Sequence, residues 1–386
     1  MSATAKNMTG QEAEQGLELT VDAAQLREAL GRGVASKKAG DIGEHALLRA
    51  GSMGDDTLEI TTIDPLMARC DMVRGTIVGK GAICAHVGEL QTALRGWEGE
   101  VKLSVEKGWL VVRAADDTGK RWRRFEIASL PAEQFPYPED LFSEGLEADP
   151  IAAKEALAAV SYVAPSDDGR AVLNGVYLEA SVAVATNGTK GATCPVSTGI
   201  AEGDEVIIPH DALKALRSAL GEETEIALLR REREGKPVGL EVEDTAADWW
   251  LRVKLIDGNY PDWRRAFAPA DEPGYKLTFK ARELREAVAR LTPFAFRQET
   301  EASPITVSKA EGGLQLSADA RGATERVNAT VEGEFEEISI DGRWLAQALE
   351  HCGDDMAIWQ SGSTGVPQLF QGDGRTDRHV VAPMRV

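Results

Sequence analysis

Six amphipathic helical segments recur along this chain at near-constant intervals, and no other feature restricts its fold as much. They are VDAAQLREAL (21–30), VGELQTALRGW (87–97), AAKEALAAV (152–160), PHDALKALRSAL (209–220), KARELREAVARL (280–291) and GRWLAQALEHC (342–352). In each, apolar residues three or four apart mark one buried face: Leu26 and Leu30, Leu90 and Leu94, Leu157 and Val160, Leu213 with Leu216 and Leu220, Leu284 with Val288 and Leu291, Leu345 and Leu349. Leu26 to Leu157 is 131 residues and Leu157 to Leu284 is 127; Leu90 to Leu213 is 123 and Leu213 to Leu345 is 132. The six therefore fall into two interleaved series of three. Self-similarity at a fixed period means repeated units, here three domains of two helices each.

The stretches between the helices read as strands. TLEITTID, EVKLSVEKGWLVVRA, NGVYLEASVAVAT, TEIALLRREREGKPVGLEVED, PITVSKAEGGLQLSA and DMAIWQ are rich in β-branched and apolar residues and are broken by Gly, Asn and Asp. Hairpins are expected at EKG, between Val105 and Trp109, and at EGG, between Ala310 and Leu314. After each even-numbered helix comes an acidic turn and then a strand. The fold class is thus α+β: three repeated domains, each with two helices packed on antiparallel sheets. Expected boundaries are a polar tail at 1–16, then 17–146, 147–270 and 271–386. The Pro- and acid-rich FPYPEDLFSEGLEADP and APADEPG are read as extended connectors.

Charge is distributed unevenly. The formal net charge is −20, which by itself disfavours a nucleic-acid partner. Yet windows around the six helices (21–38, 84–97, 149–160, 208–218, 280–297, 340–351) hold 14 Lys and Arg against 10 Asp and Glu, a net +4 that leaves −24 elsewhere. The helices are mildly basic on an acidic body. Helices lining a hole with sheets outside would convert this into a weakly positive channel, suited to sequence-independent phosphate contact. The plainer alternative is a solvated, solubilising helix face.

Other function classes find little footing. No apolar run approaches the roughly 20 residues that span a bilayer, and the N-terminus lacks a signal-peptide pattern, so a cytoplasmic protein with no membrane partner is expected. Cys70, Cys84, Cys194 and Cys352 are scattered, without CxxC spacing, and read as spare thiols. His45, His86, His210, His351 and His379 are dispersed and form no HExxH, so neither a metal nor a cofactor is expected. No phosphate-binding glycine loop or nucleophile elbow occurs. Acid pairs such as Glu243–Asp244 and Asp354–Asp355 fall in turns, and Trp249–Trp250 read as sheet packing. The chain is not expected to be an enzyme.

Four segments give the repeat a family likeness. FEIASLPAEQFP (125–136), GRAVLNGVYLEA with VATNGTKGA (169–180, 184–192), KLIDGNYPDWRRAFAP (254–269) and the terminal VVAPMRV (380–386) resemble, in order and spacing, segments of the bacterial DNA polymerase III beta subunit, the sliding clamp family. The resemblance implies a homodimeric ring around duplex DNA that acts as a non-catalytic processivity factor. It implies partners (replicative polymerase, clamp loader and repair proteins) that insert short apolar peptides into one pocket. Residues matching that pocket are Leu173, Thr186, Gly188, Lys190, Pro261, Arg265, Ala266, Pro367, Val380, Val381, Ala382, Pro383, Met384 and Arg385. DNA contact is expected from Arg27, Lys37, Lys38, Arg170, Lys214, Arg217, Arg282 and Arg285.

The pocket departs from the family pattern. The usual Asp-Gly-His-Arg-Leu is Asn187-Gly188-Thr189-Lys190-Gly191, Ala382 replaces a Met, and Ala266 a Val. Each change removes bulk, or replaces the guanidinium fork with a point charge. An altered peptide preference is expected. The alternative is a diverged homologue acting as a regulatory or interaction ring.

Overall fold

The computed structural model describes residues 16–384 apart from 53, 117, 299 and 319–321. The polar tail read at 1–16 and the pocket residue Arg385 thus lie, apart from Gly16, outside the described residues.

The element order displays the repeat directly. First come β1 (Glu18–Asp22), α1 (Ala23–Arg32), β2 (His45–Ala50), β3 (Thr57–Ile63), β4 (Met67–Gly79), β5 (Gly81–His86), α2 (Val87–Leu94), β6 (Glu100–Glu106), β7 (Trp109–Ala115) and β8 (Trp122–Ile127). After the short β9 (Ser129–Leu130) the series returns as β10 (Phe142–Gly145), α3 (Pro150–Val160), β11 (Gly175–Glu179), β12 (Val182–Thr186), β13 (Lys190–Pro195), β14 (Val206–Pro209), α4 (His210–Ala219), β15 (Glu225–Arg230), β16 (Pro237–Asp244) and β17 (Trp249–Lys254). A further helix, α5 (Arg264–Asp271), precedes the third series. That series is β18 (Tyr275–Lys280), α6 (Ala281–Ala295), β19 (Pro304–Ala310), β20 (Gly313–Ala318), β21 (Ala323–Gly333), β22 (Ile338–Asp341), α7 (Gly342–His351), β23 (Met356–Ser361), β24 (Gln368–Gly372) and β25 (Arg378–Val381). Three times the chain runs strand, helix, four strands, helix, three strands.

All six expected helices form, and the apolar residues that announced them are buried. Their starts have a local cause. The carboxylates of Asp22, Asp149 and Asp341 accept hydrogen bonds from the first free backbone N–H groups of α1, α3 and α7, each cap being worth about 1 kcal/mol. Both expected hairpins form as well. Glu106 pairs with Trp109 across Lys107 and Gly108, which have φ of 53° and 79°. Two consecutive left-handed residues are what a tight hairpin with the natural strand twist requires.

By internal packing the chain divides into two compact units, one of residues 1–146 with 214–255 and one of 147–213 with 256–386. In the first, thirteen strands form one antiparallel network whose main path is β10-β15-β16-β17-β4-β1-β6-β7-β8. Leu26 and Leu30 of α1 and Leu90 and Leu94 of α2 pack on Leu19, Leu103, Leu110 and Val112. In the second, twelve strands run β14-β11-β12-β13-β25-β24-β23-β18-β21-β20-β19-β22. There Leu284, Val288, Leu345 and Leu349 bury against Leu277, Trp359 and Phe370. Trp249 and Trp250 lie in the β17–β4 ladder, each facing a guanidinium, Arg69 at 4.5 Å and Arg252 at 4.6 Å.

The reading of two extended connectors needs correction. Phe142–Gly145 of the first is a strand paired with β15. Ala268–Asp271 of the second belongs to α5, a helix that tolerates Pro269 near its end. Composition favoured a connector there, but Phe267 and Ala270 are buried against Leu369 and Val380, and that packing overrides propensity.

Candidate functional site

The second unit gathers most of the expected pocket residues around the junction of β13 and β25. Lys190 pairs with Val381 and Gly191 with Val380, so the terminal segment enters the sheet beside the β12–β13 turn. Beyond β25 the segment stays anchored: the Ala382 N–H donates to the Thr189 carbonyl at 2.8 Å, and the Met384 N–H to the Ser339 carbonyl at 2.8 Å. Val380 and Val381 are buried, and Ala382, Pro383 and Met384 are half-buried.

The turn itself is built by short polar side chains. Asn187 Oδ1 accepts from the Thr189 and Lys190 N–H groups at 3.0 and 2.8 Å, and Thr186 Oγ1 accepts from the Gly188 N–H at 3.1 Å. Gly188 has φ of +88°, and a Cβ there would sit 3.0 Å from Arg170 Nη1. Arg170 is therefore placed at this turn, with Nη2 donating to the Asn187 carbonyl at 2.9 Å. Asp168 holds it with two bonds, at 3.0 and 3.1 Å. The guanidinium keeps the Asp168 carboxyl at about 2, well below its ordinary value.

Two side chains that the sequence reading did not single out complete the site. Phe267 fills the space left at Gly191: a Cβ on that glycine would lie 3.4 Å from the Phe267 ring and 2.9 Å from Val380. The bulk expected to be missing at Gly191 is thus supplied from α5. Gln347, on α7, accepts from Lys190 Nζ at 2.8 Å, and the same ammonium stands 5.9 Å from the Tyr162 ring. Burial lowers the Lys190 pKa. No spacing rule links residues 190 and 347; only the ladder does.

The remaining pocket residues are less closely joined. Leu173 ends a single helical turn, Ala171–Leu173, and is buried. Ala266 packs against the Phe267–Leu369–Val380 cluster. Pro261 is exposed, and Arg265 is exposed and paired with Asp262 at 3.1 Å. Pro367 immediately precedes Gln368, which pairs with Val381. Trp263 Nε1 is buried with no hydrogen-bond partner among the described residues.

The expected DNA-contacting residues divide into two kinds. Lys37, Lys38, Lys214 and Arg282 are exposed, with Lys37 3.5 Å from Glu44 and Arg282 3.9 Å from Glu286; Arg217 is half-buried. Arg27 and Arg285 instead have structural engagements. Arg27 Nη1 donates to the carbonyls of Leu94 and Trp97 at 2.9 and 2.6 Å, capping the end of α2. Arg285 reaches Gly353 and Asp354, just past α7.

The histidines, dispersed in sequence, are not all dispersed in space. His351 and His379 converge with Asp377.

The fold is that of a DNA polymerase sliding clamp. The solved sliding clamp of Caulobacter crescentus superposes with a TM-score of 0.81 at 24% identity, covering 96% of this chain and 100% of that one. The DNA polymerase III subunit beta of Pseudomonas aeruginosa does so with 0.82 at 21%, over the same shares. Residues 149–262 match the family described as DNA polymerase III beta subunit, central domain. The beta sliding clamp of Pseudomonas putida is 26% identical over 301 residues, 74% of this chain and 76% of that protein. That of Escherichia coli is 24% identical over 356 residues, 86% and 90% respectively. Residues 149–262 thus match that family's central domain, and the chain over nearly its whole length has the fold of the solved sliding clamps.

Proposed function

We propose that this chain closes with a second copy into a ring that encircles duplex DNA and tethers a polymerase to it, without catalysing a reaction. The threefold recurrence of one strand–helix order, within a chain that superposes on solved clamps over nearly its whole length, carries this reading. Proposed domains are 17–146, 147–270 and 271–386; the helices α1 and α2, α3 and α4, and α6 and α7 fall two to each, although β10, which opens the second series, precedes the first boundary. A topological tether needs no base readout, and a weak positive surplus on the helices suits sliding. The test is to load the protein on nicked circular DNA and then linearise it. Release through the free ends is expected; retention on the linear product would refute encirclement.

Closure by two copies is supported by exposed apolar groups. The edge strand β8 carries Trp122 at 71% exposure and Phe125 at 43%, and the end of α6 carries Phe294 at 46% and Phe296 at 52%. Open edges and clustered exposed aromatics are features that an interface covers. Sedimentation should give about twice the 41.5 kDa chain mass, and a Trp122→Asp, Phe125→Asp variant should run as a monomer.

Leu173, Thr186, Gly188, Lys190, Pro261, Arg265, Ala266, Pro367 and Val380 to Arg385 are proposed as the groove for partner peptides. Half-exposed Pro383 and Met384 follow Val381, the strand partner of Lys190, and offer the apolar contact that suits a short peptide with an apolar anchor. For DNA, the accessible candidates are Lys37, Lys38, Arg170, Lys214 and Arg282.

A further inference from the structure

We propose that His351, Asp377 and His379 form a binding site for one divalent transition-metal ion of the zinc type. One donor atom from each lies within 4.8 Å of the other two. Two imidazoles and one carboxylate are a donor set that such ions take, with a fourth position left for water.

The fold brings these donors together from separate elements. His351 is the last residue of α7, His379 lies in β25, and Asp377 immediately precedes that strand. His379 Nε2 and Asp377 Oδ2 are 2.8 Å apart. Ligands about 2.0–2.1 Å from a tetrahedral zinc are themselves roughly 3.3 Å apart, so a small opening of this pair admits the ion. His351 has its ring centroid 5.2 Å from that of His379, and its imidazole closes the third side.

The surroundings match what holds such ligands in place. Tyr162 Oη lies 3.1 Å from His379 Nδ1. An oxygen at the far ring nitrogen fixes the tautomer that leaves Nε2 free to ligate. Tyr162 also stacks on His351, centroids 4.0 Å apart. Arg375 binds both Asp377 oxygens, at 2.9 and 3.2 Å, which orients the carboxylate while lowering its affinity for a dication. His379 and Asp377 are buried and His351 is half-buried, so the ion would enter past His351. Once bound it would tie the end of α7 to β25, the strand that holds Val380 and Val381 and leads into Ala382–Met384.

Cobalt(II) is the probe, because its visible absorption reports protein ligands directly. Titrating chelator-treated full-length protein with cobalt chloride should give a band that saturates at one equivalent per chain and is bleached by zinc. Zinc should also raise the thermal midpoint of the wild type. His351→Ala and the near-isosteric Asp377→Asn should each lose the band and the zinc-dependent shift, with Asp377→Asn serving if the other variant fails to fold. Absence of a saturable band in the wild type overturns the site and leaves the three residues as a self-satisfied hydrogen-bond network. A band unchanged in both variants overturns the assignment to these residues.

Discussion

Arg27 reaches from α1 to the far end of α2, where its Nη1 lies 2.9 Å from the Leu94 carbonyl oxygen. Arg285 follows Leu284 as Arg27 follows Leu26, and it reaches the carbonyl just past α7 in the same way, at 3.4 Å from Gly353, with Asp354 at 2.6 Å. In two of the three repeats a guanidinium on one helix thus meets a carbonyl at or just past the C-terminal end of its neighbour, where the helix dipole favours a cation. Arg27→Ala and Arg285→Ala are each expected to cost about 1–3 kcal/mol, because buried or half-buried carbonyls lose a charged donor. Lysine at either position should restore only part of that, lacking the fork. Chemical denaturation of the single variants checks this.

These two arginines also mark how far the sequence could be read. Leu26 and Leu284 declared helices because apolar periodicity is a local signal, and every such helix formed. The acidic caps Asp22, Asp149 and Asp341 are equally local. What Arg27 does is not local: its partners are 67 and 70 residues away, and positive charge on a helix reads the same whether it meets phosphate or a carbonyl. The site behaves likewise. PDWRR and the terminal PMRV pointed to the β13–β25 region, but Phe267 and Gln347 became visible only once the ladder set Lys190 beside Val381. His351 and His379 looked unrelated because strand pairing, not spacing, unites them.

Gly191 and Phe267 provide a packing test. The Cβ of a leucine at 191 would lie 2.9 Å from Val380 and already touch the Phe267 ring at 3.4 Å, leaving little room for the rest of the side chain, and overpacking of this kind costs about 1–3 kcal/mol. Phe267→Ala alone should cost about 3–5 kcal/mol, because it empties a buried site. Combined, Gly191→Leu and Phe267→Ala should be less destabilising than the sum of the two. Thermal unfolding of the four proteins in a double-mutant cycle measures the coupling. Additive losses would show that the two residues do not share one space.

Asp168 sets the acid limit of the turn at 187–190. Its carboxyl is held at about 2, against an ordinary 3.8, chiefly by the Arg170 side chain. A carboxylate depressed on folding contributes stability above its unfolded pKa and loses it as pH falls through the folded one. Wild type and Asp168→Asn should therefore differ in stability at neutral pH and converge as pH drops from about 4 to about 2. Unfolding curves across that range test it, and a constant gap between the two proteins would rule out this ion pair as the cause.

Lys190 is expected to bias which peptides the proposed groove prefers. Its ammonium is held by Gln347 Oε1 at 2.8 Å, and partial burial lowers its pKa, so it presents a positioned point charge at the β13–β25 junction. A bound peptide carboxylate at that position would gain about 0.2–1 kcal/mol, as partly exposed ion pairs do, or up to roughly fivefold in affinity. Lys190→Met keeps the stem and removes the charge. It should weaken an apolar peptide bearing an acidic residue by that factor and leave a neutral apolar peptide unchanged, as read by fluorescence anisotropy with the two labelled peptides. Gln347→Leu should reproduce part of the loss, because the ammonium is then no longer held in place. Equal weakening of both peptides by Lys190→Met would mean that residue 190 acts through the shape of the groove rather than through its charge.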